Sequence, residues 1–156
     1  MTAKIDGARF ITERLNTDRI KEAAEIEKLC FSEPWSEEAL VYMCTSPNTY
    51  ALAVIDTLSG RLAAYGGVEY VLDEASVVNV ATHPDYRRMG CASMIMRGLE
   101  EFLKAQAVAD IYLEVRASNI GARTLYEREG YIPVGVRKNY YRFPAEDAIV
   151  MAKKTD

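Results

Sequence analysis

Histidine, tryptophan and cysteine are scarce in this chain: one His, one Trp and three Cys in 156 residues. His83 with Cys30, Cys44 and Cys91, none of them in C-x-x-C spacing, makes no ligand set for a zinc site, and three is an odd number for a disulfide framework. Long apolar runs are missing too. No segment approaches the ~20 apolar residues of a membrane span, and the opening MTAKIDGARF lacks the apolar core of a secretory leader. There is no excess of positive charge: 19 basic side chains face 23 acidic ones, a net charge of −4. That balance speaks against broad binding to nucleic acid or an anionic membrane and leaves room only for a local basic patch. Linkers, low-complexity tracts and internal repeats are absent, and the length suits one domain, 1–156, with a core of its own. The expectation is a reduced, metal-free, cytoplasmic protein with no nucleic-acid or membrane partner; the oligomeric state stays open.

What is present is a clear succession of elements. Residues 8–14 (ARFITER) read as a first strand. Thr17 or Asp18 then caps a helix whose apolar residues Ile20, Ala23, Ile26, Leu29 and Cys30 recur at helical spacing. Pro34-Trp35 interrupts, and Ser36-Glu37-Glu38 starts a second helix with acids in its first turn, where the dipole favours them. YALAVID (50–56) and RLAAYGGVEYVL (61–72), joined by 57–60, read as an antiparallel hairpin, and ASVVNVAT (75–82) extends it to a meander. A helix over 90–106 sets Cys91, Ile95, Leu99, Phe102 and Leu103 on one stripe. ADIYLEV (109–115) is a strand and NIGARTLYERE (119–129) a helix closed by Gly130; YIPVGVRKNYY and EDAIVMAKK supply the last two strands. The fold class is therefore α/β (α+β): a single domain with a mixed, mostly antiparallel twisted sheet of about six to seven strands and about four helices on its faces.

Three places carry chemistry. A strand, a Pro84 turn and then RRMGCA opening a helix suit an anion: free N–H groups and the positive dipole end point outward, Gly90 and Ala92 keep the backbone approachable, and Arg87 and Arg88 add charge. The segment is neither a Walker A loop nor G-x-G-x-x-G, and a helix start with solvated arginines is the plain alternative. In IYLEVR (111–116) the apolar Ile111, Leu113 and Val115 share one face, and Tyr112, Glu114 and Arg116 the other. Glu114 is thus either part of a polar sheet face or a general base beside the anion-binding helix. Tyr126, next to Leu125 on a helix, is either core with a satisfied hydroxyl or a proton donor.

Together these segments resemble the GNAT family of acetyl-CoA-dependent N-acetyltransferases, whose Q/R-x-x-G-x-G/A signature is matched by Arg87-Arg88-Met89-Gly90-Cys91-Ala92. VVNVATHPDYRRMG, LEVRASN, LYEREGY, VRKNYY and EDAIVMA, with FSEPWSEEAL (31–40), are similar to its bacterial ribosomal-protein alanine N-acetyltransferases, over about residues 10 to 152. The resemblance implies acetyl-CoA as cosubstrate. It implies that Val80, Ala81 and Thr82 pair with the pantetheine amides and that Arg87, Arg88, Met89, Gly90, Cys91, Ala92 and Ser93 form the pyrophosphate site. Asn119 falls on a cofactor-contacting asparagine, although a helix N-cap is as natural a role. By the same resemblance Glu114 is the general base and Tyr126 the general acid. Two positions depart from the pattern: His83 stands where Asp is usual, and Cys91, at a helix start that can lower a thiol pKa, replaces a small or aliphatic residue.

The implied reaction is direct attack of an amine on the thioester, with the N-terminal alanine of small-subunit ribosomal protein eighteen as the substrate. Chemistry favours an α-amine: its pKa of about 7.7–8.0 against about 10.4 for lysine makes deprotonation cheaper by roughly 3.5 kcal/mol. Phe31, Trp35, Tyr140 and Tyr141 are candidates to line the peptide groove, or pack on the core as loop aromatics. The competing readings are acetylation of protein lysines or small amines, and a non-catalytic acetyl-CoA-binding module, which needs neither Glu114 nor Tyr126.

Overall fold

The apolar runs on either side of residues 57–60 fold back on each other as β2 (Thr49–Asp56) and β3 (Leu62–Val71), and β4 (Glu74–Thr82) returns beside β3. The computed structural model describes residues 8–155. β1 (Phe10–Arg14) pairs antiparallel with β2, so the first four strands form a meander. A helix crossover then brings β5 (Asp110–Arg116) parallel to β4, the parallel pairing that a hairpin cannot make. The last two strands, β6 (Ile132–Tyr141) and β7 (Glu146–Lys154), form a hairpin in which the final strand slots between β5 and β6. Among the described residues the sheet order is β1-β2-β3-β4-β5-β7-β6, seven strands with one parallel pair.

Helices cover both faces. α1 (Ile20–Cys30) and α2 (Glu37–Thr45) bury Ile20, Ala23, Ile26, Leu40 and Met43 against Ala51, Ala53, Ile55 and Tyr65. On the other face α3 (Cys91–Ala105) and α4 (Ile120–Arg128) lie over Leu52, Val54, Val68, Ile111 and Leu113. Strand β2 thus turns odd residues to one helix layer and even residues to the other. Its sequence is accordingly a continuous apolar run, with no alternation. Ile95, Leu99 and Leu103 on α3 are sealed from solvent, each contributing about 1.5–3 kcal/mol of burial. Gly98 lets α3 approach the sheet, since a β-carbon there would meet Leu52 Cδ2 at 2.3 Å.

Local signals hold in detail at several ends. Ser36 Oγ accepts from the Ala39 N–H (3.1 Å) as N-cap of α2, and Gly130 follows α4 with φ of 97°. The entry to α1 differs from expectation. Residues Thr17–Arg19 form a 3₁₀ turn before it, and neither Thr17 nor Asp18 caps the helix, whose N-cap position is Arg19. The buried stripe of α1 differs as well: Leu29 is exposed, and Glu27 is fully buried in its place. Counted from Ile20, the positions Ala23, Ala24 and Glu27 are the i+3, i+4 and i+7 neighbours that face the sheet.

Candidate active site

The site is made by two strands that part. β4 and β5 are paired at only three positions, Glu74–Asp110, Ala75–Ile111 and Ser76–Tyr112. Beyond them β4 stays on β3 as far as Thr82, while β5 stays on β7 as far as Arg116. Val78 is the extra residue of a bulge in β4, because Gly67 pairs with Asn79 and Val68 with Val77. A bulge bends and twists its strand, and here it carries β4 away from β5. The result is a cleft of about 350 Å³ between Val77–Val80 on one side and Leu113–Arg116 on the other, closed by α4 and by the end of α1 with the loop after it. The β4 backbone facing this cleft has lost its ladder partner, so its N–H and C=O groups are free to pair with an extended amide-bearing ligand.

Glu114 comes from β5 with its side chain half-buried in the cleft wall. Its Oε2 is shielded from solvent and accepts no hydrogen bond; Arg137 Nε lies 3.3 Å away but is not aligned to donate. Tyr140, from the same strand as Arg137, has its phenol held above its ordinary value, first by hydrogen bonding to the Glu114 carboxylate, then by burial. Tyr126 lines the same cleft from α4, its ring edge-on to Tyr131 at 6.2 Å, and burial pushes its hydroxyl up to about 12. It is therefore a neutral O–H donor throughout the neutral range. Phe31, Trp35 and Tyr141 also line the cleft, Tyr141 under the guanidinium of Arg116 at 4.5 Å. Tyr140 reaches the site only through Glu114.

At the end of β4 the chain turns through a 3₁₀ segment, Pro84–Tyr86, into the start of α3. Arg88 (φ 64°) and Gly90 (φ 82°) both adopt left-handed backbone, and the place where a Gly90 β-carbon would stand has nothing within 4 Å. The Met94 N–H bonds back to the Gly90 carbonyl (3.1 Å), which leaves the N–H groups of Cys91, Ala92 and Ser93 without an intrahelical acceptor. Arg87, Arg88 and Met89 are exposed around this open cradle. Its free donors, positive dipole end and two guanidiniums fit a diphosphate.

Several expected residues sit differently. The Ala81 side chain is buried on the α1–α2 face, away from the cleft, and the Thr82 carbonyl accepts from Cys30 Sγ (3.3 Å), so Val80 is the member of that trio lining the cleft. Asn119 is indeed the N-cap of α4, accepting from the Ala122 N–H (3.1 Å), while also lining the cleft. Cys91 points into the core and burial pushes its thiol up, the opposite of an activated helix-start cysteine. His83 lies outside the cleft lining; its Nδ1 accepts from the Asp85 N–H (3.0 Å).

Sequence reasoning missed two residues. Arg137 reaches Glu114 from a distant strand, and no local pattern marks it. Glu27 was there to be found: an acid at i+3 and i+4 from Ala24 and Ala23, on the buried face of an amphipathic helix, must be paired.

A sheet parted beside a helix start that offers free N–H groups, with a carboxylate and a phenol across the gap, suits acyl transfer from an extended phosphate-bearing donor. The pattern of the acetyltransferase (GNAT) family matches residues 20–131, and the chain belongs to that family. It is an acyltransferase that draws on acetyl-CoA. It is similar to the [ribosomal protein bS18]-alanine N-acetyltransferase of Escherichia coli K12, with 37% identity over 140 residues, 88% of this chain and 93% of that protein. Its counterpart from Haemophilus influenzae is 36% identical over 131 residues, covering 82% of this chain and 87% of the other. The crystal structure of the Escherichia coli ribosomal-protein-S18-alanine N-acetyltransferase superposes with a TM-score of 0.86 at 34% identity, covering 94% of each chain. Arabidopsis thaliana NAA60 in complex with acetyl-CoA shares the fold alone, with a TM-score of 0.84 at 16% identity, covering 93% of this chain and 98% of that one. Among the described residues no helix is long and apolar enough to cross a membrane.

Proposed function

We propose that this acetyltransferase acts in the cytoplasm on a protein N-terminus, acetylating the α-amine of the alanine that begins ribosomal protein bS18. The observation that carries the reading is the Glu114 carboxylate, half-buried in the wall of a cleft that also holds a neutral tyrosine. Arg137 stands 3.3 Å from its shielded Oε2, and the rest of the carboxylate, at the cleft wall, can accept a proton from a group brought into the cleft. A substrate ammonium is such a group. The names and near full-length similarity of the bacterial relatives support the choice of alanine and of a ribosomal protein.

When bound, acetyl-CoA supplies the acetyl group as a thioester. Glu114, directly or through one water, takes the proton from the substrate ammonium, so that nitrogen can form its bond to the thioester carbonyl carbon. An N–H on the free edge of β4 stabilises the oxyanion. As the carbon–sulfur bond breaks, Tyr126 gives its proton to the departing thiolate. A single carboxylate suits an amine of pKa about 7.7–8.0 better than a lysine near 10.4.

The test is CoA release with two peptides: one beginning with a free alanine followed by the host's bS18 sequence, the other blocked at that end and carrying one internal lysine. Turnover of the first alone is expected. Turnover of the second, or of neither, overturns the ribosomal reading.

A further inference from the structure

The residue missed in the sequence holds the peptide side of the cleft together. Glu27 is completely buried, yet its carboxylate reaches the cleft lining and accepts three hydrogen bonds from three different parts of the chain. Oε1 takes the backbone N–H of Trp35 (2.8 Å), in the loop between α1 and α2. Oε2 takes Nδ2 of Asn79 (2.7 Å), beside the β4 bulge, and the hydroxyl of Tyr65 from β3. One carboxylate thus fixes the loop that carries Phe31 and Trp35 relative to the strand that opens toward β5. All three partners donate, so only an acceptor at both oxygens satisfies them, and an ionised carboxylate is the side chain that offers this. The Tyr65 phenol answers to the arrangement, held far above its ordinary value first by burial and then by the Glu27 charge.

We infer that Glu27 is a positioning residue for the amine-bearing substrate: it sets where the Phe31–Trp35 wall stands without touching the reacting atoms. The inference rests on the proposed reading of the cleft as a peptide N-terminus site. A purely structural carboxylate would serve both halves of the site alike. This one ties the loop on the peptide side to the bulge of β4 at Asn79, while the arginine loop and the start of α3 are carried by Pro84–Tyr86 and meet α1 at Cys30, 3.9 Å from Arg87 Nη2.

Replacing Glu27 by Gln separates the two roles. The glutamine oxygen still accepts from one set of partners, but its NH₂ meets an N–H, so either the Trp35 backbone or the Tyr65–Asn79 pair loses its acceptor. Trp35 is the only tryptophan in the chain, so its fluorescence reports the loop directly. In E27Q the emission should shift to the red, and acrylamide should quench it more strongly. KM for the alanine peptide should rise about 10-fold, with KM for acetyl-CoA within about twofold of native, as expected for lost positioning of one substrate. Tyr65→Phe, which keeps the buried ring and removes one donor, should move both readouts the same way by less, and it decides the matter if E27Q does not fold. Unchanged Trp35 fluorescence, or a rise in KM for acetyl-CoA equal to that for the peptide, overturns the inference. If the native protein does not turn over the alanine peptide, the functional reading fails, and Trp35 fluorescence alone judges the role of Glu27.

Discussion

Glu114 and Tyr126 make separable demands on the chemistry. Glu114→Gln keeps the shape of the cleft wall and removes the base, so kcat should fall about 100-fold or more, the range of general-base catalysis. KM for the peptide should change far less, and steady-state kinetics on the alanine peptide read both. A kcat equal to native would move the base elsewhere. Tyr126→Phe keeps the ring packed on Tyr131 and removes only the hydroxyl. A coenzyme A thiolate leaves fairly well unaided, so a fall in kcat of about 10-fold is expected. The pH dependence follows from the burial that pushes this phenol up to about 12. Tyr126 holds its proton until the solution is strongly alkaline, so the native enzyme should lose no kcat on its account up to about pH 10. A decline centred between pH 8 and 9 that disappears in Y126F would show the hydroxyl ionising at least three orders of magnitude too easily for its surroundings.

The start of α3 is the element on which the cosubstrate depends, and Gly90 is its hinge. A β-carbon there would clash with nothing, but a φ of 82° is left-handed, and an L side chain pays roughly 1–2 kcal/mol to adopt it. Gly90→Ala should therefore lower Tm by a few degrees and turn the first N–H groups of α3 out of line. KM for acetyl-CoA should rise about fivefold, while KM for the peptide stays near native. Calorimetry and kinetics with each substrate varied in turn check the split. Gly90 was legible because a short-range rule marks it: small residues after a Pro turn and before an amphipathic helix. The hairpin, the Ser36 cap, the α3 stripe and the alternation that puts Glu114 opposite Leu113 were legible for the same reason. The bulge at Val78 was not, since ASVVNVAT reads as an unbroken strand and only its pairing with β3 shows two residues facing one. The parting of β4 from β5 was equally hidden. It depends on β7 holding β5 straight, and β7 lies more than thirty residues further along the chain. Leu29 falls on the solvent face because the helical period counted from Ile20 sends Ala23, Ala24 and Glu27 inward, whatever their hydrophobicity.

Across the whole molecule the sheet joins two halves that the sequence presents in succession, and long-range polar ties join the halves to the site. Asp56, at the end of β2 and almost without solvent contact, is the principal one outside the cleft. Its carboxylate accepts from Arg9 (3.3 and 3.2 Å), from the Leu58 N–H (3.0 Å), from Ser59 Oγ (3.1 Å) and from Tyr86 Oη (2.7 Å). It thereby ties the residue before β1, the β2–β3 turn and the segment leading into the arginine loop. Hydrogen bonds from Arg9 first, then from Tyr86, hold its pKa far below the ordinary carboxylate range. A carboxylate whose folded pKa is depressed contributes stability that is present above its unfolded pKa near 3.9 and is lost as pH falls through the folded value. The native protein should accordingly lose Tm steeply below about pH 4. Asp56→Asn keeps the shape and one acceptor oxygen but no charge. It should melt several degrees lower than native at pH 7, with the gap narrowing as pH falls toward 2.5, because the unfolded native chain then takes up a proton at Asp56 that the folded carboxylate does not. Tyr86 stands directly before Arg87, so the same variant should show a modest rise in KM for acetyl-CoA and none for the peptide. A melting gap that stayed constant from pH 7 to pH 2.5 would mean that the missing charge matters little and that packing alone holds these three segments together.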